Sequence, residues 1–150
     1  MPAILLLARQ WRRRQRRVWG AWAEEAAARY LSTGRSWYVL ARNWRVVSGE
    51  ADLVCFCPED HALVIVEVRA RRRRELEMAA SSVRRRKLQR QRSLAWRAYL
   101  TWRDLAGAKP LGLRVDVITV SWLGPSGGLT GGARLWHLVG VGCGPCGPGG

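Results

Sequence analysis

The sequence predicts an α/β fold in which a mixed β-sheet is flanked by helices, with the element order αβββαβ. Residues 49–69 hold two apolar runs of strand length around a turn-forming tetrapeptide, which is the pattern of a β-hairpin. Residues 18–33 and 83–105 carry apolar residues at helical spacing, and another apolar run follows at 113–122. Consecutive strands followed by a helix and a further strand form a mixed sheet covered by helices.

The chain opens with a basic segment ahead of the first helix. Residues 1–17 form a predicted basic N-terminal arm, whose most basic part is RQWRRRQRR at 9–17. This arm either lies along a phosphate backbone or is a disordered leader that aids solubility. The first helix is predicted from Val18 to Thr33, because the sequence is rich in alanine and Gly34 suits a helix C-terminus.

The hairpin at the centre of the chain sets the positions of two carboxylates. If residues 58–61 form the loop and Cys57 pairs with Ala62, Asp52 falls directly opposite Glu67. Directly opposed residues in an antiparallel pair hold their Cβ atoms roughly 4.5–5.5 Å apart. Carboxylates this close repel each other, so they persist where a divalent cation, a shared proton or a neighbouring cation compensates.

Further charged residues surround this acid pair. Alternation along each strand places Glu50 on the face of Asp52, and Arg69 on the face of Glu67. The alternative is a solvated edge hairpin whose acids face water. A third acid and a nearby arginine, at the end of an apolar sheet, favour a functional site.

The remaining segments complete a single predicted domain at 18–141. Residues 37–47 are rich in strand formers, and Asn43 within them predicts a bend or a bulge. Residues 134–141 are a candidate edge strand. The Gly/Pro/Cys-rich tail at 142–150 is expected to be flexible.

Two basic clusters flank the loop between the hairpin and the second helix. One leaves the strand end that carries the acids, and the other crowds the first turns of the helix, where cations oppose the helix dipole. An anion docking at that end explains them. The predicted nucleic-acid-binding residues are Arg71, Arg72, Arg73, Arg74, Arg84, Arg85, Arg86 and Lys87.

Charge and composition restrict the class of partner. The 26 Lys and Arg residues outnumber the 11 Asp and Glu residues, which gives a net charge of +15. Such a charge suits a polyanion, either nucleic acid or an anionic membrane surface. No run approaches the roughly 18 apolar residues of a transmembrane helix, so we expect a cytoplasmic protein. Cys55 and Cys57 are expected to be buried thiols rather than zinc ligands.

Several separated motifs resemble the YraN-like family of restriction-endonuclease-like proteins, which are similar to archaeal Holliday-junction resolvases. The resemblance covers most of residues 18–122. In chain order the motifs are Gly20-x-x-x-Glu24, Ala26-Ala27-Ala28-Arg29-Tyr30-Leu31, Arg42-Asn43, Gly49-Glu50-Ala51-Asp52-Leu53, Val66-Glu67-Val68-Arg69, Val83 with Lys87, and Arg114-Val115-Asp116-Val117.

This resemblance implies a role for each acid. Asp52 and Glu67 correspond to catalytic metal ligands, Glu24 to an acid on the first helix that assists the metal, and Glu50 to a further assisting acid. The implied cofactor is Mg²⁺ or Mn²⁺. Arg69 stands where the wider superfamily has a catalytic lysine, and arginine does not release its proton near neutral pH.

Two functions follow as alternatives. The first is a divalent-metal-dependent DNA endonuclease that acts on branched or damaged DNA, in repair or recombination. The second is a non-catalytic nucleic-acid-binding module that retains the nuclease fold, which the arginine at position 69 favours. An anionic-membrane binder is the least favoured reading. The expected partner is DNA or another nucleic acid, and no membrane partner is expected. The sequence leaves open whether the protein forms a homodimer.

Overall fold

In the part of the chain that the structure describes, two long helices lie on opposite faces of a five-stranded sheet. The computed structural model describes residues 2–71, 85–104, 109–122 and 132–141, with only the backbone described for residues 2–8, 85–88 and 122. In chain order the elements are α1 (Pro2–Arg29), a π-helical turn (Tyr30–Gly34), β1 (Tyr38–Val46), β2 (Gly49–Cys57), β3 (Ala62–Arg71), α2 (Arg85–Trp102), β4 (Gly112–Trp122) and β5 (Ala133–Leu138).

The sheet is mixed, as predicted. Its strand order is β1-β2-β3-β4-β5, in which β3 and β4 are parallel and the other neighbours are antiparallel. The parallel pair requires a crossover connection, and α2 lies within it. The predicted order αβββαβ is therefore confirmed, with β5 as the additional edge strand.

Each helix covers one face of the sheet through small residues. Ala23, Ala27 and Ala28 of α1 belong to one apolar cluster, and Ala95 and Ala98 of α2 belong to the other. Alanine lets a helix approach the sheet closely, so the larger core side chains come from the strands. The fully buried ones include Leu53, Leu63, Ile65 and Ile118.

The first helix begins at Pro2, so the predicted start at Val18 is wrong. Residues 9–17, predicted as an arm separate from the helix, continue α1 without a break. Arginine, glutamine, leucine and alanine are all favourable in helices, and the stretch from Ala3 to Trp19 contains no glycine or proline. The predicted start rested on the basic composition of this segment and left out its high helix propensity.

The hairpin register is the predicted one. Cys57 pairs with Ala62 across the loop, and His61 takes a left-handed conformation with φ of 48°. Cys55 and Cys57 are buried free thiols, as expected. Burial raises the pKa of the Cys55 thiol to about 12, so this group is inert at neutral pH.

In the described part of the chain, no helix combines the length and the apolarity needed to cross a membrane.

Candidate active site

The candidate site lies where the second and third strands separate. Pairing between β2 and β3 runs from Cys57↔Ala62 to Leu53↔Val66 and ends there, although both strands continue. Asp52 and Glu67 follow immediately beyond the last pair. The sequence prediction of a directly opposed Asp52–Glu67 pair is therefore corrected, because these carboxylates lie at the opening of a fork between the strands.

A kink in β2 produces this fork. Ala51 packs in the cluster under α2, whereas Leu53 packs in the cluster under α1, so the alternation of side chains breaks at Asp52. On the neighbouring strand, Asn43 lies between the residues paired with Leu53 and Ala51 and has a left-handed φ of 47°. The predicted bend at Asn43 is confirmed. Strict alternation, which would put Glu50 and Asp52 on one face, does not hold here.

Asp52 takes over a hydrogen bond that a regular ladder would make through the backbone. The amide of Val68 donates to Asp52 Oδ2 at 2.7 Å. Burial, together with the nearby charges of Glu24, Glu67 and Glu50, raises the pKa of Asp52 to about 6, against the opposing effect of the Val68 amide. These acids thus act together on one carboxyl group, as the sequence predicted.

Glu67 and Arg69 form a buried ion pair on the α2 side of the sheet. Their side chains are only 11% and 9% exposed, and Arg69 Nε donates to Glu67 Oε1 at 3.3 Å. Gln91 of α2 donates to the other carboxylate oxygen of Glu67. The negative charge of Glu67 is therefore largely compensated, unlike that of Asp52.

The fork opens into a cleft of about 840 Å³ between the sheet and the start of α2. Asp52, Glu67 and Arg69 line it, and Arg71 and Arg90 add positive charge to its wall. Acidic ligands and basic residues thus face one space, which suits a phosphodiester beside a cation.

The other predicted residues differ in how they are placed relative to the cleft. Glu50 lines the cleft but is paired with Arg45 at 3.1 Å, and Glu24 acts on Asp52 from α1. Within the described ranges, no three His, Cys, Asp or Glu side chains already form a metal-binding group. The predicted nucleic-acid-binding residues Arg72, Arg73, Arg74 and Arg84 lie outside the described residues, and only the backbone is described for Arg85, Arg86 and Lys87.

Sequence reasoning missed Gln91 and Arg90 as members of the site. Gln91 is 6% exposed and belongs to the buried stripe of α2. A polar side chain in an otherwise apolar stripe was the signal that could have indicated a polar partner on the sheet.

A second polar cluster is centred on Asp116 of β4, which pairs with Val66 of β3. Asp116 is fully buried and accepts hydrogen bonds from Arg114 Nε at 2.9 Å and from the Gly140 amide at 2.9 Å. His137 Nε2 lies 2.8 Å from the other oxygen of the carboxylate. Burial acts to raise the pKa of Asp116, but the hydrogen bonds of His137, Gly140 and Arg114 outweigh it and hold this pKa below its usual value. This cluster joins β4 to β5 and to the segment that follows it.

We expect Asp52→Asn to stabilise the metal-free protein near neutral pH. The asparagine oxygen can still accept the Val68 hydrogen bond, but the charge that Glu24, Glu67 and Glu50 oppose is gone. Because the folded state binds the Asp52 proton more tightly than the unfolded state, wild-type stability falls as pH rises from 3.8 to about 6. The variant should therefore gain about 3 kcal/mol at pH 7.5, and nothing below pH 3.8.

Urea unfolding of wild type and variant in EDTA, at pH 7.5 and below pH 3.8, measures this difference in stability. Asp104→Asn is the matched control, because Asp104 is 90% exposed and its substitution should change stability little at either pH. A variant less stable than wild type at pH 7.5 would contradict the description of Asp52 as a repelled carboxylate.

The fold and the cleft together define a class of protein: a helix-flanked mixed sheet with an acidic fork between its second and third strands. The chain belongs to the uncharacterised protein family UPF0102, whose family model matches residues 23–120. The matched residues include Glu24, Asp52, Glu67 and Arg69. Membership of the family suggested by the sequence motifs is thereby confirmed.

Relatives from several bacteria share this region. A UPF0102 protein of Roseiflexus castenholzii is 44% identical over 102 residues, which cover 68% of this chain and 77% of the relative. A UPF0102 protein of Pelotomaculum thermopropionicum is 42% identical over 105 residues, covering 70% of this chain and 82% of the relative. One of Beutenbergia cavernae is 37% identical over 123 residues, covering 82% and 94%.

Proposed function

We propose that this protein is a divalent-metal-dependent endonuclease that acts on DNA, and that it works in the cytoplasm. The observation that carries the proposal is Asp52: a partly buried carboxyl group that three other acids affect, in a cleft also lined by the buried Arg69. A protein that only bound polyanions would gain nothing from acids gathered where phosphate must approach. Branched or damaged DNA is the proposed substrate because of the resemblance to junction resolvases.

The donor set fits Mg²⁺ or Mn²⁺. Hard divalent cations prefer carboxylate oxygens, and both the burial of Asp52 and the neighbouring acids, which raise its pKa, disfavour a charge that a cation would offset. Asp52 and Glu67 would hold the ion, with Glu24 and Glu50 assisting. When bound, the cation supplies Lewis-acid chemistry at the phosphodiester.

Arg69 has a different part in this scheme. Its guanidinium keeps its proton at neutral pH, so it cannot act as a general base. It can hold Glu67 in place through the 3.3 Å contact and donate to a phosphate oxygen that gains charge during cleavage. Arg71 and Arg90, on the wall of the cleft, would bind neighbouring phosphates.

A specific observation favours the non-catalytic alternative. Both carboxylate oxygens of Glu67 already have partners, one in Arg69 and one in Gln91. Metal binding therefore requires Glu67 to exchange at least one of these contacts for the cation. If that exchange costs too much, the cleft binds nucleic acid without cleaving it.

Cleavage of linear, nicked and four-way DNA, with Mn²⁺ and with EDTA, tests the proposal. We expect wild type to cut only with the metal and Glu67→Gln to be inactive, because glutamine keeps the shape of the ligand but not its charge. Glu59→Gln is the control, since this hairpin-loop glutamate is 58% exposed and lies outside the lining of the cleft.

Thermal unfolding with and without Mn²⁺ gives a second readout. Wild type and Glu59→Gln should be stabilised by the metal through binding linkage, whereas Glu67→Gln should gain much less. A wild type that neither cuts with any divalent metal nor is stabilised by one would eliminate the endonuclease and leave the binding module.

A further inference from the structure

Most of the described side chains in the N-terminal part of α1 are exposed to solvent. Among the described side chains of this helix, which start at Arg9, the first buried one is that of Ala23. From Arg9 to Val18, every side chain except that of Gln15 is exposed. A Cβ atom added at Gly20 would meet no atom within 4 Å, so the helix has already left the sheet at that position.

This exposed part of α1 extends past the acidic cleft. The C-terminal end of the helix lies by Trp37, whose amide donates to Leu31 O at 2.9 Å, while Glu24 acts on Asp52 at the fork. Residues before Glu24 therefore continue beyond the fork end of the sheet. At 1.5 Å per residue, Arg9 stands about 22 Å further along the axis.

The face of α1 that packs on the sheet continues as a row of arginines. Residues seven apart lie almost above one another on a helix, with a drift of about 20°. Counting back from Ala23 in sevens gives Arg16 and then Arg9; counting back from Ala27 gives Gly20 and then Arg13. The arginine stripe, defined as Arg9, Arg13 and Arg16, thus continues the sheet-facing side of α1 past the fork end of the sheet. There it faces towards the plane of the sheet, on whose other side the cleft lies.

We propose that the arginine stripe binds the phosphate backbone of a polynucleotide that leaves the cleft. The proposal rests on the proposed function for the identity of the polyanion, and it adds a second binding wall. The stripe and a polynucleotide carry opposite charges, because every residue of the stripe is a cation. The neighbouring Gly20 leaves room for a phosphate backbone to approach. The family model begins at residue 23, so the stripe lies outside the matched region.

A polynucleotide fits this surface better than an anionic membrane does. A helix lying on a membrane needs an apolar face beside its basic one. Between Arg9 and Val18 the exposed apolar side chains are those of Trp11 and Val18, which are too few to form a wide apolar face. The stripe therefore offers guanidinium groups and open space, which suit phosphates.

Fluorescence anisotropy of a labelled DNA duplex, measured in EDTA across a range of NaCl concentrations, tests the proposal. The double variant Arg13→Gln/Arg16→Gln removes two charges from the stripe. Arg14→Gln/Arg103→Gln removes two charges elsewhere, because Arg14 points away from the stripe and Arg103 lies beyond the C-terminal end of α2. Each lost phosphate contact lowers the slope of log K against log salt by about one.

We expect the stripe variant to lower that slope by about two and the control variant by less than one. Equal losses in both variants would reduce the stripe to a share of the overall charge and overturn the proposal. Tight binding of wild type to anionic phospholipid vesicles, with no binding to duplex, would overturn it as well. Because EDTA prevents metal-dependent cleavage, a protein that fails to cut DNA but shows the stripe effect refutes only the endonuclease.

Discussion

Arg69→Ala should reduce single-turnover cleavage by about 10²–10³-fold, which is the usual effect of removing one group that stabilises charge in the transition state. Arg69 is 9% exposed, and its Nε contacts Glu67 Oε1 inside the cleft. In the proposed reaction, alanine would therefore remove both the group that donates to the phosphate and the partner that holds Glu67 in place. DNA affinity should stay nearly intact, because the contact matters mainly during the reaction. Arg69→Lys should retain or raise the rate, since lysine restores the charge and can also transfer a proton.

Arg71→Ala is the control for this series. Arg71 lies two residues further along β3 and also lines the cleft, but its Nη1 donates to the backbone oxygen of Ala70 rather than to an acid. Its loss should weaken binding by about one phosphate contact and leave the cleavage step almost unchanged. Cleavage and binding measured side by side on one branched substrate separate these effects, with thermal unfolding to show that each variant is folded. If no variant at position 69 cuts and Arg69→Ala weakens only binding, the protein is a binding module.

Asp116→Asn should destabilise the protein by about 3–5 kcal/mol, because it removes the buried partner of an ion pair and leaves the arginine with only the exposed Asp60. Arg114 is that arginine and is only 14% exposed. The folded-state pKa of Asp116 lies below the ordinary 3.8, so its stabilising contribution is present above pH 3.8 and is lost as pH falls through the folded-state pKa. Urea unfolding should therefore show the full difference from wild type at pH 7 and a smaller one well below pH 3.8.

Asp60→Asn is the control, because it removes the exposed carboxylate that also pairs with Arg114. Asp60 is 57% exposed, and exposed ion pairs contribute about 1 kcal/mol or less. This control should therefore cost little at any pH. A similar small cost for Asp116→Asn would show that the cluster does not hold β4 to β5.

Local patterns were sufficient to predict the centre of this fold. The turn at 58–61 fixes the pairing of Cys57 with Ala62, and every pair up to Leu53↔Val66 follows from it. The same register brings Glu67 near Asp52, since register decides which side chains meet, whereas Glu24 acts on Asp52 from α1.

The fork itself was not predictable from those patterns. Continuous apolar sequence in β2 indicates a regular strand, and the break at Asp52 depends on a left-handed residue, Asn43, in the neighbouring strand. The Gln91 contact with Glu67 also depends on how α2 docks on the sheet. Interactions between elements distant in sequence leave only weak signals in either one alone.

The irregular backbone of β1 also bears on how the protein behaves at high concentration. β1 is an edge strand, and a flat edge offers its unpaired backbone groups to any other chain, which is a route to aggregation. The register shift between Val39 and Ala41 and the left-handed Asn43 interrupt that edge at two points. An added strand could pair with only short stretches on either side. Asn43, which helps to shape the cleft, therefore also hinders the pairing of strands from other copies of the protein with this edge.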